Sequence, residues 1–181
     1  MRWVYLAIVV VFVAATLIFV FQNVAVVTMS FLGLSIHAPL AENTAILPYL
    51  GKRFGLWPTD ANAEAKALST IGFFAASVHP AHAHVGRPER YTTDASAYPL
   101  IKETGLKTFH GYLKQIDGRL AGREWMGDKY SVVDPYALVF YTWGVRRELP
   151  MGELANYTAF KDRMMKRPAV QRVAEDEKIK V

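Results

Sequence analysis

The sequence predicts an all-α helical bundle, preceded by an N-terminal transmembrane helix and a short β-hairpin. Three observations predict it. Residues 1–41 hold 31 apolar residues and a single charge, Arg2. All 16 acidic residues of the 181-residue chain lie beyond position 41. Past that point the apolar residues recur at helical spacing and are punctuated by Gly, Pro and capping residues. The chain has no cysteine, which excludes a disulfide scaffold, a Cys-ligated metal site and a thiol nucleophile. Its formal charge of +5 is scattered, with no basic stripe interleaved with aromatics, so nucleic acid is not an expected partner.

Taken in order, the first element is an apolar run from Trp3 to Phe21, interrupted only by Thr16. As a helix it would be roughly 28 Å long, close to the hydrocarbon thickness of a bilayer. Trp3 and Tyr5 stand at one end, where aromatic rings favour the interface. The run is longer than the apolar core of a usual signal peptide and no clean cleavage site follows, which favours an anchor. Gln22-Asn23 breaks it. Polar and apolar residues then alternate in Thr28–Phe31 and Gly33–Ile36, the pattern of a short hairpin turning at Leu32-Gly33. The orientation stays open: Arg2 argues for a cytoplasmic N-terminus, while Lys52 and Arg53 are also basic.

Helices follow. Residues 43–53 carry Ala45, Ile46, Leu47, Tyr49 and Leu50, and Gly55 supplies a stop. Leu56-Trp57-Pro58 reads as a linker. Thr59 or Asp60 can cap a long helix from Ala61 to about His84, with Leu68, Ile71, Phe74, Ala75 and Val78 on one stripe. Residues 85–90 form a polar loop. A further helix spans about Ala95 to Leu120, with Leu100, Phe109, Leu113 and Ile116 as its apolar positions and Pro99 in its first turn. Ser131-Val132-Val133-Asp134 is the sharpest local signal. Ser131 can cap the amide of the third helical residue while Asp134 reaches back to the Ser131 amide. The helix behind it is apolar nearly all round, which places it at the centre of a bundle. Two short helices, about 153–166 and 169–176, close the chain around Pro168.

Two resemblances follow from these motifs. The stretch Phe19–Asn23, then Val27–Gly33 and Pro39-Leu40, resembles the lipopolysaccharide assembly protein A-like domain, which has a membrane helix, a QN break and a small hairpin. It differs in having no second long apolar run after Ala41. The rest is similar to soluble glutathione S-transferases. Glu42-Asn43-Thr44-Ala45-Ile46-Leu47-Pro48-Tyr49-Leu50 looks like their E-[SN]-x-A-I-x-x-Y-L segment. Leu56-Trp57-Pro58 resembles their interdomain linker, Tyr130–Tyr136 their Y-S-x-x-D-P-Y helix start, and Lys166–Val170 their closing R-P-A-V segment. The resemblances imply three parts. These are an anchor and hairpin (1–41), a remnant of a thioredoxin-like domain (42–58) and a transferase-type helical domain (59–181).

That likeness also implies a ligand, glutathione, and no cofactor. Glu42 and Asn43 would hold its γ-glutamyl end, a carboxylate meeting the ammonium and a helix start meeting the carboxylate. Equally, they could be a plain first turn. Phe73–His79 matches the family's F-x-A-x-x-x-H segment, which implies that His79 faces glutathione or the electrophile. His79, His82 and His84 have no carboxylate at ligand spacing, so no metal is expected; such a cluster is more often solvated. Arg87, Arg90 and Tyr91 could line the same cleft but read more simply as a solvated loop. The Ser, Tyr or Cys that stabilises the thiolate has no counterpart motif in residues 1–41, so activity by this chain alone is not expected. The expected protein is a single-pass, inner-membrane, transferase-like protein, able to self-associate through an exposed interdomain face. A non-catalytic envelope scaffold and a truncated fusion product remain open alternatives.

Overall fold

The computed structural model describes residues 28–31, 34–37 and 41–179. The chain divides into two units, Met1–Ala45 and Ile46–Val181. In the first, β1 (Thr28–Phe31) and β2 (Leu34–His37) pair antiparallel, with Thr28 opposite His37 and Phe31 opposite Leu34. This register starts the second strand one residue later than the alternation at Gly33 suggests. The transmembrane segment expected over Trp3–Phe21 lies outside the described residues. Among the described residues, no helix is long and apolar enough to cross a membrane.

Helix α1 (Asn43–Arg53) leads into the second unit. The Leu56-Trp57-Pro58 segment after it is fastened rather than loose. Trp57 is buried and its indole N–H donates to Glu64 at 3.0 Å, while the Leu56 carbonyl accepts from the Val132 amide. Lys52 also pairs with Glu64 at 2.7 Å, so one carboxylate ties α1, the linker and the next helix together.

That next helix is α2 (Ala61–Phe73), whose Asp60 cap accepts from the Ala63 amide at 2.9 Å. The single helix expected to run on to His84 is instead interrupted. A π-helical turn (Phe74–Val78) intervenes before α3 (His79–Gly86). Pro80 supplies a reason: it has no N–H for the residue-76 carbonyl and its ring would clash there. The widened turn absorbs that misfit, with the His79 amide bonded to the Phe74 carbonyl five residues back. The buried stripe of this column is Ala67, Ile71, Phe74, Val78 and Ala81. Leu68 is 46% exposed, so the expected stripe was rotated by one residue at that end.

Two short 3-10 turns lead to α4 (Tyr98–Arg119), which buries Gly105, Phe109, Leu113 and Ile116. Leu100 is 67% exposed, against expectation. Gly105 permits a close approach of α3: a Cβ there would lie 2.6 Å from the His84 Cβ. Helix α5 (Val133–Arg146) occupies the centre, with Ala137 and Phe140 fully buried, although Val139 reaches solvent. Helices α6 (Ala155–Met165) and α7 (Pro168–Asp176) complete the bundle. Tyr157, Phe160 and Met164 of α6 fill its core.

Candidate functional site at the ends of the central helix

The start of α5 is a closed network. Asp134 is fully buried. Its Oδ1 accepts from the Met126 amide at 2.8 Å and its Oδ2 from the Ser131 amide at 2.7 Å. Ser131 Oγ accepts from the Val133 amide at 3.3 Å, not from the Asp134 amide; the latter bonds to the Ser131 carbonyl. The reciprocal box is thus half of the expected pattern, and the Met126 contact, which spacing gave no reason to expect, replaces the other half. Burial pushes the Asp134 carboxyl up to about 6, because desolvation outweighs the amides that favour its charge. All its polar contacts are internal, so the group binds the 126–131 loop onto α5 and is not aimed at a ligand.

The other end of α5 is built differently. The π turn and α3 bring His79 and His82 beside Trp143, and the α5 C-terminus carries Arg146 and Arg147. His82 stacks on Trp143 with centroids 4.2 Å apart and tilts against Phe109 at 5.2 Å. His79, exposed, meets Trp143 edge-on at 5.1 Å. Arg147 Nε donates to His82 Nε2 at 3.2 Å. An imidazole that accepts there carries its proton on Nδ1 and is neutral. Burial, then the nearby Arg147, His79 and Arg146 charges, hold the His82 imidazolium down to about 4.

The remaining sequence candidates separate from this cluster. His84 lies flat on Tyr91 at 3.7 Å and its Nδ1 is 2.6 Å from the Pro80 carbonyl, so it is a packing residue rather than a solvated one. Arg87 and Arg90 are exposed loop residues. Among the described residues no group of His, Asp or Glu could hold a metal ion. Glu42 is exposed and left-handed (φ 67°), a conformation that costs a non-glycine residue about 1–2 kcal/mol. Asn43 opens α1 and is half-buried. A groove of about 1050 Å³ lies elsewhere, at the N-terminal half of α2, lined by Trp57, Lys66, Arg119 and Tyr130. Sequence reasoning found His79 and Ser131-Asp134 but missed Trp143 and Arg147. Arg147 meets His82 across 65 residues, and the one available hint was a doubled arginine ending an apolar helix.

The second unit is an α-helical bundle of the type found in glutathione S-transferases, and comparison with known proteins bears this out. The chain is 25% identical over 137 residues to the glutathione S-transferase GstA of Escherichia coli O157:H7, covering 73% of this chain. It spans 65% of that relative's length. A glutathione transferase homologue from Sulfitobacter, solved with bound glutathione, superposes with a TM-score of 0.70 at 24% identity, over 82% of this chain and 71% of that one. A sphingomonad glutathione S-transferase complexed with glutathione gives 0.66 at 24% identity, over 84% and 74%. No family model matches the chain. The helical unit therefore has the fold of these solved glutathione S-transferases.

Proposed function

We propose that the protein is a membrane-anchored, glutathione S-transferase-like protein whose helical unit supplies the second-substrate side of a transfer site. The observation that carries this reading is the exposed His79 held against Trp143, on a bundle whose relatives include structures with glutathione bound. The reaction is attack of the glutathione thiolate on an electrophilic carbon with departure of its leaving group. At neutral pH glutathione is mostly thiol, so a hydrogen-bond donor must stabilise the thiolate. That donor belongs to a thioredoxin-like domain, and its motif is not legible in residues 1–41. By the likeness to glutathione S-transferases, His79 of the helical unit would face the thiol or the electrophile; the same likeness gives Glu42 and Asn43 a γ-glutamyl-binding role of their own.

The end of α1 supports the need for such a domain. Leu50 (37%), Phe54 (65%) and Leu56 (37%) are exposed there, an apolar surface that a docked domain or a second copy would cover. The anchor and the inner-membrane location rest on the length and uncharged character of residues 3–21. Release from membranes on deleting residues 2–21 is the expected result for that part; retention after a high-salt wash contradicts it.

The activity is tested by conjugation of glutathione to 1-chloro-2,4-dinitrobenzene by the full chain in detergent. The expected result is negligible turnover alone and measurable turnover once a separate thioredoxin-like domain from a related transferase is added. His79→Ala should lower the restored rate. Robust turnover without the added domain contradicts the incomplete-site reading, and none with it contradicts the transferase reading.

A further inference from the structure

The guanidinium of Arg147 is held in place, yet no acid among the described residues pairs with it. The ion pairs among the described residues are Lys52–Glu64 and Lys161–Asp162, and neither includes Arg147. Its neighbour Glu148 makes no pair with it, although it is adjacent in sequence. A cation at a helix C-terminus is stabilised by the helix dipole, which accounts for the exposed Arg146. It does not account for Arg147, which is half-buried and clamped. His82 takes its Nε–H, and His82 is itself fixed between Trp143 and Phe109. On the other side Nη2 lies against Gly86, where a Cβ would approach to 3.1 Å.

Such an arrangement immobilises the fork of the guanidinium while leaving its charge uncompensated. A rigid, part-desolvated guanidinium is suited to accept a carboxylate through two parallel hydrogen bonds. Preorganisation removes most of the ordering cost that an ordinary surface arginine would incur on binding. Neutral His82 matters to this design. A carboxylate in its place would quench the guanidinium, and an imidazolium would repel it. His82, which bonds the guanidinium, stacks on the half-buried Trp143, and the exposed His79 meets the same indole edge-on, so an aromatic cluster adjoins the arginine through His82.

We propose that Arg147, positioned by His82 and Gly86, forms a subsite for a carboxylate carried on an aromatic ligand. The inference goes beyond the transferase reading and does not depend on it, because it concerns binding by this chain's own residues. The carboxylate could also be one of glutathione's, so the test separates the two sources.

The full chain in detergent is titrated with 4-nitrobenzoate and with 4-nitrobenzamide, which matches it in shape but is neutral, and separately with glutathione. The expected result is tighter binding of the acid than of the amide. Arg147→Gln should weaken the acid about tenfold, as loss of a charge-assisted pair does, and leave the amide unchanged. Arg147→Lys should recover only part of the loss, since it restores the charge but not the Nε–H to His82. Gly86→Ala, which leaves Arg147 in the chain and crowds Nη2, should reduce the preference for the acid and guards against misfolding of the Gln variant. If Arg147→Gln weakens glutathione and leaves nitrobenzoate unchanged, Arg147 serves glutathione and the assignment to an aromatic carboxylate is overturned. Equal affinity of the wild-type protein for acid and amide also overturns it.

Discussion

At one end of α5 a carboxylate is wholly buried and every contact it makes is internal; at the other an imidazole is half-buried and the arginine it steers faces no acid. Both ends hold an ionisable group away from its ordinary state, in opposite directions. Asp134 is raised to about 6 and His82 lowered to about 4. Burial disfavours the charged form in each case, which raises an acid and lowers a base. The difference lies in what surrounds them. Asp134 satisfies two loop amides and so fastens residues 126–131 to the bundle. His82 accepts from one arginine, which makes no ion pair among the described residues. A buried carboxylate whose partners all lie in the loop and cap beside it holds the fold, whereas an imidazole whose partner is an arginine outside any ion pair among the described residues prepares a surface for something else.

The largest expected effect breaks the first end. Asp134→Ala leaves the Met126 and Ser131 amides buried without acceptors, at about 1–3 kcal/mol each, so a loss of about 3 kcal/mol or more is expected in denaturant unfolding. Asp134→Asn should cost less, because one amide keeps its acceptor and no charge needs to be buried. Ser131→Ala should cost only about 0.5–1 kcal/mol, since its longer hydroxyl contacts, 3.3 and 3.4 Å, are the weaker part of the network. Because both groups serve one network, the Ser131→Ala, Asp134→Ala double variant should cost less than the sum. Strict additivity would separate Ser131 from the cap.

A smaller effect sharpens the comparison through pH. His82 has a folded value of about 4, below its ordinary 6.5, so the unfolded chain binds the extra proton between them. Its contribution is present above about 6.5 and is lost as pH falls toward 4. Asp134 runs the other way: its folded value of about 6 exceeds 3.8, so its contribution is present below 3.8 and is lost as pH rises through 6. Between about pH 4 and 6 the two slopes oppose. His82→Phe, which keeps a ring between Trp143 and Phe109, should leave stability at pH 7 nearly unchanged and make the protein relatively more stable near pH 5. An unchanged pH profile in that variant would mean that folding does not lower His82 below its ordinary value.

What the sequence showed of these ends differs for a physical reason. The capping pattern of Ser131 and Asp134 is local, so spacing displays it, although the Met126 amide completing it comes from a loop with no fixed offset. His82 and Arg147 lie on separate helices, and no spacing rule couples them. The π turn was hidden for a related reason, since apolar residues at 67, 71, 74, 78 and 81 fit an uninterrupted helix as well as an interrupted one; Pro80 was the visible sign. Leu68 was misplaced because both registers carry apolar residues there, and the small Ala67 wins the tightly packed side. His79 was found through its resemblance to a family segment, and its contact with Trp143 required the fold.

The division between the two ends is tested most directly by unfolding the full chain in denaturant as wild type, Asp134→Asn and Arg147→Gln under one set of conditions at pH 7. The expected result is a clear loss for Asp134→Asn, about 1–3 kcal/mol, with Arg147→Gln within about 1 kcal/mol of wild type. A loss for Arg147→Gln equal to or greater than that for Asp134→Asn would make the arginine a structural residue and contradict the assignment of that end to a ligand.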